Sequence, residues 1–540
     1  MFMIASTLLI QRSVCWTHAH ALSRRSCAAL RSFTTTVSYF TDVEGDWDYL
    51  NRFVDISEVV SRNREDPADL VIEDPNHHVV FGGDVVDKGG CDMKVLDCLN
   101  NFKRKYPENV HFIMGNRDCN KLRMQAEIGR PGDPHLDLPR HGGVYWFRGR
   151  GITGDPEMEE TSVPTDSSGR LKWMLKATLG CPDSFEHRRR ELTEIAAEAD
   201  GGGSKKIITD EDVVDSYRAS CSKDGNMGRY ILSTVTALRL GPCLFVHGGL
   251  PKPPEVEDSK YWGTSSLPPF LEGLHDDGRP IDLWIRDLND WCDRQKRDWA
   301  EGNGEDDGYI WATEGGYFTE PNRGGSLINY GMGWNKDGKK NPTVVYTSWL
   351  KDGMPADTHD DRQGFARDFF SRTGLKLLLS GHSPHGDCPL PIKINCGGGG
   401  SGSDSMILTG DTSYSGDCAW ANEERAGMGR EGSLSGRGKV AVSEILVTYS
   451  GASLLSVRSR GVLSDGSTHF SGSIMEDDLI GTYATVEDFG ADAFVDGTDE
   501  GRGKTWWIKS KIDEDGDDYY LGCYAEGYDV TNKVIKRIKR

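Results

Sequence analysis

The chain predicts an α/β fold, on three observations. Five short apolar runs stand at residues 37–42, 79–84, 110–116, 244–247 and 377–382, each ending on Asp, Asn or His. Runs this short, rich in Val, Ile, Leu and Phe and followed by Gly or Asp, read as buried strands. The intervals between the first three runs carry helical periodicity, so strand and helix alternate. Strands apolar along their whole length suit a sheet covered on both faces, and their carboxyl ends then converge on one crevice.

Taken in order, Val37–Phe40 leads into Thr41-Asp42-Val43-Glu44-Gly45-Asp46. Trp47–Val60 follows as a helix, with Leu50, Phe53 and Val54 at helical spacing and Ile56 and Val60 close by. The second run, Val79–Phe81, ends in Gly82-Gly83-Asp84 and continues as Val85-Val86-Asp87-Lys88-Gly89. Met93, Leu96, Leu99 and Phe102 repeat the helical pattern, and the third run, Val110–Met114, ends in Gly115-Asn116-Arg117-Asp118. Right-handed crossovers make these strands parallel within residues 37–130, with their loops at one end. Leu244–Val246 runs into His247-Gly248-Gly249-Leu250, and Leu377–Ser380 into Gly381-His382-Ser383-Pro384.

Two long excursions, at about 130–235 and 252–340, interrupt this core. They contain a charged helix over 185–197 and an amphipathic one over 283–299, with Trp284, Leu288 and Trp291 on one face. Such excursions either cap a site or decorate the outer surface, and a cap shaping the substrate pocket is the expectation adopted. Residues 201–204, 397–405 and 424–438 are Gly-rich loops, Met406–Leu408 is a further strand, and 440–460 forms a hairpin split at Gly451. The organisation expected is a leader (1–36), a main domain (37–465) and a small β-rich C-terminal appendage (466–540). The acidic stretch Asp513–Asp517 reads as a turn, since its Gly is misplaced for an EF-hand loop.

Bulk properties narrow the partners. The 540 residues exceed what one compact core fills, and a formal charge of -21 argues against general nucleic-acid binding. No apolar run reaches the roughly 18–20 residues that span a bilayer, so no membrane span is expected. Thirteen Cys without a C-x-x-C pair, among them Cys91, Cys98, Cys243 and Cys292, read as free thiols of a reducing compartment. The first 36 residues hold Arg12, Arg24, Arg25 and Arg31 and no Asp or Glu, the composition of a transit peptide. With a working leader the protein is expected in a mitochondrion or plastid, and otherwise in the cytoplasm.

The five blocks resemble those of the calcineurin-like metallophosphoesterases, D-x-H, G-D-x-x-D-[RK]-G, G-N-x-[DE], H and G-H. His247-Gly248-Gly249-Leu250 is most similar to the branch holding Ser/Thr protein phosphatases and diadenosine-polyphosphate hydrolases. The resemblance implies two mixed β-sheets packed face to face with helices outside both, a four-layer αββα core. It also implies two divalent ions (Mn, Fe or Zn) about 3.5–4 Å apart and attack on phosphorus by a hydroxide bridging them. On that pattern Asp84 bridges, Asp42 and Glu44 bind the first ion, and Asn116, His247 and His382 bind the second.

Two departures from the family pattern bear on the chemistry. Glu44 stands where the family has a His ligand; if it binds, the first site is all oxygen and favours Mn²⁺ or Mg²⁺. If it does not bind, that site is weak. Arg117 stands where the branch has a His general acid paired with the residue matching Asp87. An Arg side chain keeps its proton but clamps phosphate bidentately, and Asp118 is expected to orient it. A purely structural Asp87–Arg117 pair is the competing reading. Lys88 replaces a frequent Arg and still supplies positive charge. His385, three positions after His382, either reaches the site or faces solvent, and Arg323 is a further phosphate-binding candidate or a surface residue.

The function expected is hydrolysis of a phosphomonoester or phosphoanhydride, with Asp84, Asp87, Lys88 and Arg117 as the catalytic set. A nucleotide-like small molecule is favoured over a phosphoprotein, because a site without a general acid suits a good leaving group. A Ser/Thr protein phosphatase, or a degenerate metal- and phosphate-binding interaction protein, is the alternative.

Overall fold

The computed structural model describes residues 34–66, 68–129, 164, 166–199, 207–250, 280–302, 324–332, 343–351, 354–355, 361–386, 388–396, 404–412, 441–463, 466–485, 489, 505–512, 519–526 and 529–537. The leader up to residue 33, Arg323, the loops 201–204, 397–403 and 424–438 and the acidic turn 513–517 lie outside the described residues.

In chain order the strands are β1 (Thr35–Phe40), β2 (Val60–Arg62), β3 (Leu70–Ile72), β4 (His77–Phe81), β5 (Val110–Ile113), β6 (Thr234–Val235), β7 (Ala237–Leu240), β8 (Cys243–Val246), β9 (Leu350–Lys351) and β10 (Met354–Pro355). There follow β11 (Leu377–Ser380), β12 (Leu390–Ile394), β13 (Ser405–Thr409), β14 (Val442–Ser450), β15 (Ser453–Val462), β16 (Thr468–Ser471), β17 (Tyr483–Thr485), β18 (Thr505–Lys511), β19 (Tyr519–Glu526) and β20 (Asp529–Lys536). The fold is α/β with mixed sheets. A seven-stranded sheet runs β16-β15-β14-β1-β4-β5-β6, and a five-stranded sheet runs β12-β13-β11-β8-β7. In the first, β1, β4, β5 and β6 are parallel neighbours; in the second, β8, β11 and β13 are.

Strand periodicity divides the apolar side chains between two clusters. Val37, Tyr39, Val80 and Ile113 of the larger sheet share one cluster with Cys243, Phe245, Leu377, Leu379, Met406 and Leu408 of the smaller. The alternate residues Phe40, Val79, Phe81, Phe112, Leu244, Leu378 and Ile407 join the helices instead. The Tyr39 and Phe245 rings meet at 5.8 Å, so the two sheets touch directly.

The helix at Trp47–Ile56 buries Tyr49, Leu50, Phe53 and Val54 and is capped by Asp46, whose carboxylate accepts from the Tyr49 amide at 2.8 Å. It stops short of Val60, which begins β2. The Ser57 hydroxyl accepts from the Val59 and Val60 amides at 3.2 and 3.0 Å, drawing the chain out of the helix. The helix at Asp92–Lys105 buries Leu96, Leu99 and Phe102. In the excursions, helices at Ser184–Ala199 and Ile281–Glu301 cover the expected stretches, the second burying Trp284, Leu288 and Trp291. The β14–β15 hairpin turns through Gly451 at φ 58°, where a side chain would be strained.

After residue 466, β16 pairs with β15 of the seven-stranded sheet, and β17 to β20 form a four-stranded antiparallel sheet. Trp506, Ile508, Tyr520 and Ile535 of that sheet join the cluster between the two large sheets. Cys98, Cys243 and Cys292 are buried free thiols, and Cys91 is half-buried. No helix among the described residues is long and apolar enough to cross a membrane.

Candidate metal centre

Five strands end beside one another. β1 delivers Asp42, β4 delivers Asp84, β5 leads through Gly115 to Asn116, β8 delivers His247, and β11 leads through Gly381 to His382. One ligand atom each of Asp42, Asp84 and His247 lies within 4.8 Å of the others, and all three residues are buried. The Asn116 amide oxygen lies 3.1 Å from His247 Nε2 and 2.9 Å from His382 Nδ1, so these five side chains form one constellation.

The backbone is unusual where these groups sit. Asp42, Glu44, Asp84, Asp87 and His382 have φ of 53°, 51°, 56°, 112° and 69°, and they are the non-glycine residues with positive φ among the described residues. Each such position costs about 1–3 kcal/mol and survives only where the surroundings impose it, typically at functional sites. Packing imposes it here: a Cβ on Gly115 would overlap Asp84, and one on Gly381 would overlap Asp42 and Thr41.

Asp118 supplies much of this constraint. Its Oδ2 accepts from the Gly115 amide (2.7 Å), the Asp84 amide (3.1 Å) and the Tyr230 hydroxyl (3.4 Å), while Oδ1 accepts from the Val85 amide (3.1 Å). It therefore ties the β4 and β5 loops together, and the orienting of Arg117 that the sequence suggests for it does not occur. Four local donors outcompete a guanidinium that finds its own acceptors elsewhere.

Charge in the centre is crowded. Burial and then the neighbouring Asp84 push Asp42 up to about 7, against the pull of His247. Burial would raise Asp84 too, yet His247, Arg117 and His382 hold it well below the usual carboxylate range. Burial disfavours a charged His247, but Asp84 and Asp42 outweigh it and push the imidazole up to about 10. The two carboxylates thus demand a buried positive charge. His247 Nδ1 donates to the Gly82 carbonyl at 2.8 Å, which fixes the ring and turns Nε2 inward, as in a metal-binding imidazole. Two carboxylates, an amide oxygen and two imidazoles fit a divalent transition-metal ion.

Glu44 lies outside the Asp42–Asp84–His247 grouping. Its Oε1 pairs with Lys88 Nζ at 2.8 Å and with Arg117 Nε at 3.0 Å, and all three side chains are largely buried. Arg117 also reaches Asp84 Oδ2 (3.6 Å), Asp87 Oδ2 (3.4 Å) and the Leu179 carbonyl (3.1 Å). Its side-chain hydrogen bonds to Asp87 and Leu179 leave from Nη1, and 15% of the side chain is exposed. Asp87 is shared with Lys121, whose Nζ lies 2.5 Å from Oδ1. His385 does not face solvent: it is 1% exposed, its backbone amide donates to the Asp411 carbonyl at 3.3 Å, and its own carbonyl accepts from Lys509.

Sequence reasoning missed several supporting groups. Lys121 stands four positions after Arg117, on the same helical face, a signal that was available. The Leu179 carbonyl and the Tyr346 ring, 4.6 Å from that of His382, left none.

No protein-family model matches the chain, and no curated protein matches it in sequence. Among solved structures it is similar to a cold-active protein-tyrosine phosphatase of a psychrophilic Shewanella species, at TM-score 0.36 and 13% identity over 81% of this chain and 80% of that one. A protein serine/threonine phosphatase from Saccharomyces cerevisiae gives TM-score 0.30 and 11% identity over 82% of each chain. These likenesses are distant, and the chemistry of the centre rests on its own geometry.

Proposed function

We propose that this chain is a metal-dependent hydrolase of phosphomonoesters or phosphoanhydrides, a nucleotide-like small molecule being favoured over a phosphoprotein. The observation that carries the reading is the convergence of Asp42, Asp84, Asn116, His247 and His382 at five strand ends. Asp84, Asn116, His247 and His382 would hold one divalent ion, and Asp42 with Asp84 a second. Bound there, such ions lower the pKa of water and neutralise phosphoryl oxygens.

The protein's own groups do the remaining work. Asp118 holds the loops that carry Asp84 and Asn116. Arg117, braced by Glu44, Asp87 and Leu179, offers Nη2 to a phosphoryl oxygen. Lys88 shares the charge of Glu44, so Glu44 acts as an anchor for Arg117 in this reading and not as a metal ligand. Asp87, occupied by Arg117 and Lys121, has no imidazole to orient among the described residues. A leaving group that departs without a protein proton is best an already acidic one, such as a nucleotide phosphate. We also read the two facing sheets with their helices as a four-layer core and residues 1–36 as an organellar leader.

The double pairing of Glu44 favours a second reading, a phosphate-binding protein with little turnover. Hydrolysis of p-nitrophenyl phosphate by the full chain, chelated and then supplied with Mn²⁺, separates the two. Turnover restored by metal and lost in Asp84→Asn is expected. Turnover that survives chelation, or that Asp84→Asn retains, sinks the hydrolase mechanism; metal-loaded, folded protein without turnover leaves the binding reading.

A further inference from the structure

The first excursion is joined to the centre by a closed ring of contacts. Asn120 Nδ2 donates to the Asn116 backbone carbonyl at 2.9 Å, and Arg123 Nε donates to Asn120 Oδ1 at 3.2 Å. Arg123 Nη2 donates to Thr178 Oγ1 at 2.7 Å, and the neighbouring Leu179 carbonyl accepts from Arg117 Nη1 at 3.1 Å. Arg117 is the residue after Asn116, so the ring returns to its start.

Thr178 closes a π-helical turn, Met174–Thr178, that continues the helix Ser167–Trp173. Its hydroxyl donates to the Met174 carbonyl at 2.8 Å, and the Leu179 amide donates to the same carbonyl at 3.1 Å. Turns of this kind are rare and concentrate at functional sites, because the extra residue re-aims a backbone group. The residue that directly follows the turn is Leu179, whose carbonyl meets Arg117. Arg123 is 0% exposed and pairs with Glu127 at 2.6 Å. A buried ion pair adds little net stability over apolar packing, and this one fixes the guanidinium that reaches both Asn120 and Thr178.

We propose that Arg123 and Thr178 are positioning residues, which set the π-helical turn so that Leu179 and Asp87 hold the Arg117 guanidinium with Nη2 open to a phosphoryl oxygen. The proposal rests on the phosphoryl-binding reading of Arg117. It makes the first excursion part of the phosphate site.

The test is calorimetric binding of inorganic phosphate to the Mn²⁺-loaded full chain. Thr178→Val keeps the shape and removes the hydroxyl. It is expected to weaken phosphate binding roughly three- to ten-fold, the scale of one lost hydrogen bond. Mn²⁺ affinity should stay within about two-fold, since no ligand-bearing side chain is removed. Thr178→Ser should restore phosphate affinity, and Arg117→Met/Thr178→Val should bind phosphate no worse than Arg117→Met alone. Unchanged phosphate affinity in Thr178→Val, or losses that add in full, overturns the positioning role. If Arg117→Met binds phosphate as the parent does, the phosphoryl reading of Arg117 fails instead. A crystal structure of Thr178→Val then decides the positioning claim: a displaced guanidinium upholds it and an unmoved one overturns it. Should Thr178→Val not fold, Arg123→Lys, which keeps the charge beside Glu127 but loses the forked reach to Asn120 and Thr178, is read in the same way.

Discussion

The Asn116 amide oxygen lies 2.9 Å from Nδ1 of His382, 266 positions away along the chain. One residue follows β5 of the seven-stranded sheet and the other follows β11 of the five-stranded sheet, so the contact bridges the two sheets at their carboxyl ends. Two polar atoms placed so, with His247 Nε2 a further 3.1 Å from the same oxygen, suit a shared cation. His382→Ala is expected to lower Mn²⁺ affinity roughly a hundredfold, at or beyond the upper end of what supporting residues contribute. Calorimetric titration checks it, and an unchanged affinity would remove His382 from the ligand set.

Asp118 makes a separate prediction, because among the described residues its side chain accepts from backbone amides and the Tyr230 hydroxyl. Asp118→Asn turns an amide group toward those amides and leaves at least one buried donor without an acceptor. The expected loss is about 2–4 kcal/mol of stability, seen as a lower urea midpoint. Mn²⁺ affinity should fall together with it, since the β4 and β5 loops lose their tie. A loss of stability with metal affinity intact would mean that the loops hold their shape by other contacts.

Gly381 has an ordinary backbone conformation, so its requirement is steric. A Cβ there would overlap Asp42 Oδ2 and Thr41 Oγ1. Gly381→Ala must therefore push Asp42 or the His382 loop aside, at a cost of roughly 1–3 kcal/mol. Weaker Mn²⁺ binding in a folded variant is the expected reading; a variant with parental affinity would show that Asp42 has room to move without harm.

The strand ends were legible because an apolar run sets each strand and an Asp, Asn or His closes it, preceded by Gly at Asp84, Asn116 and His382 and followed by Gly at His247. The helices were legible from spacing, with Ser57 ending the first one early through a hydroxyl that periodicity does not register. Pairing was not legible. Glu44 has the same side chain whether it meets a metal or the Lys88 and Arg117 cations, and only the fold brings those two within 3.0 Å. Asp118 is equally ambiguous between a guanidinium and a row of amides. The Leu179 contribution is a backbone carbonyl, which any residue would supply. At the C-terminal end, Trp506 and Ile508 alternate along β18 and enter the cluster between the sheets, a packing that the acidic turns around them do not announce.

His469 gives a pH prediction remote from the metal centre. It is 1% exposed, with Ser443 Oγ 2.9 Å from Nε2 and Ser510 Oγ 3.4 Å from Nδ1. Burial, helped by the charge of Lys509, lowers its pKa from 6.5 to about 3. The folded protein keeps the ring neutral, while the unfolded chain takes up a proton below about 6.5. Between these limits the unfolded state binds more protons, so this residue's contribution is complete above about pH 6.5 and is lost as the pH falls toward 3. The slope is about 1.4 kcal/mol per pH unit. Buried carboxyls such as Asp118, raised to about 6, act in the opposite sense, so the parental profile is a sum and the difference from a variant is the informative quantity. His469→Gln keeps an amide for the serines and cannot titrate. It should be less stable than the parent at pH 7 by about 1 kcal/mol, and the gap should close by about 2 kcal/mol by pH 5, leaving the variant the more stable. Urea unfolding at several pH values measures this; parallel curves for parent and variant would show that His469 accepts a proton in the folded state.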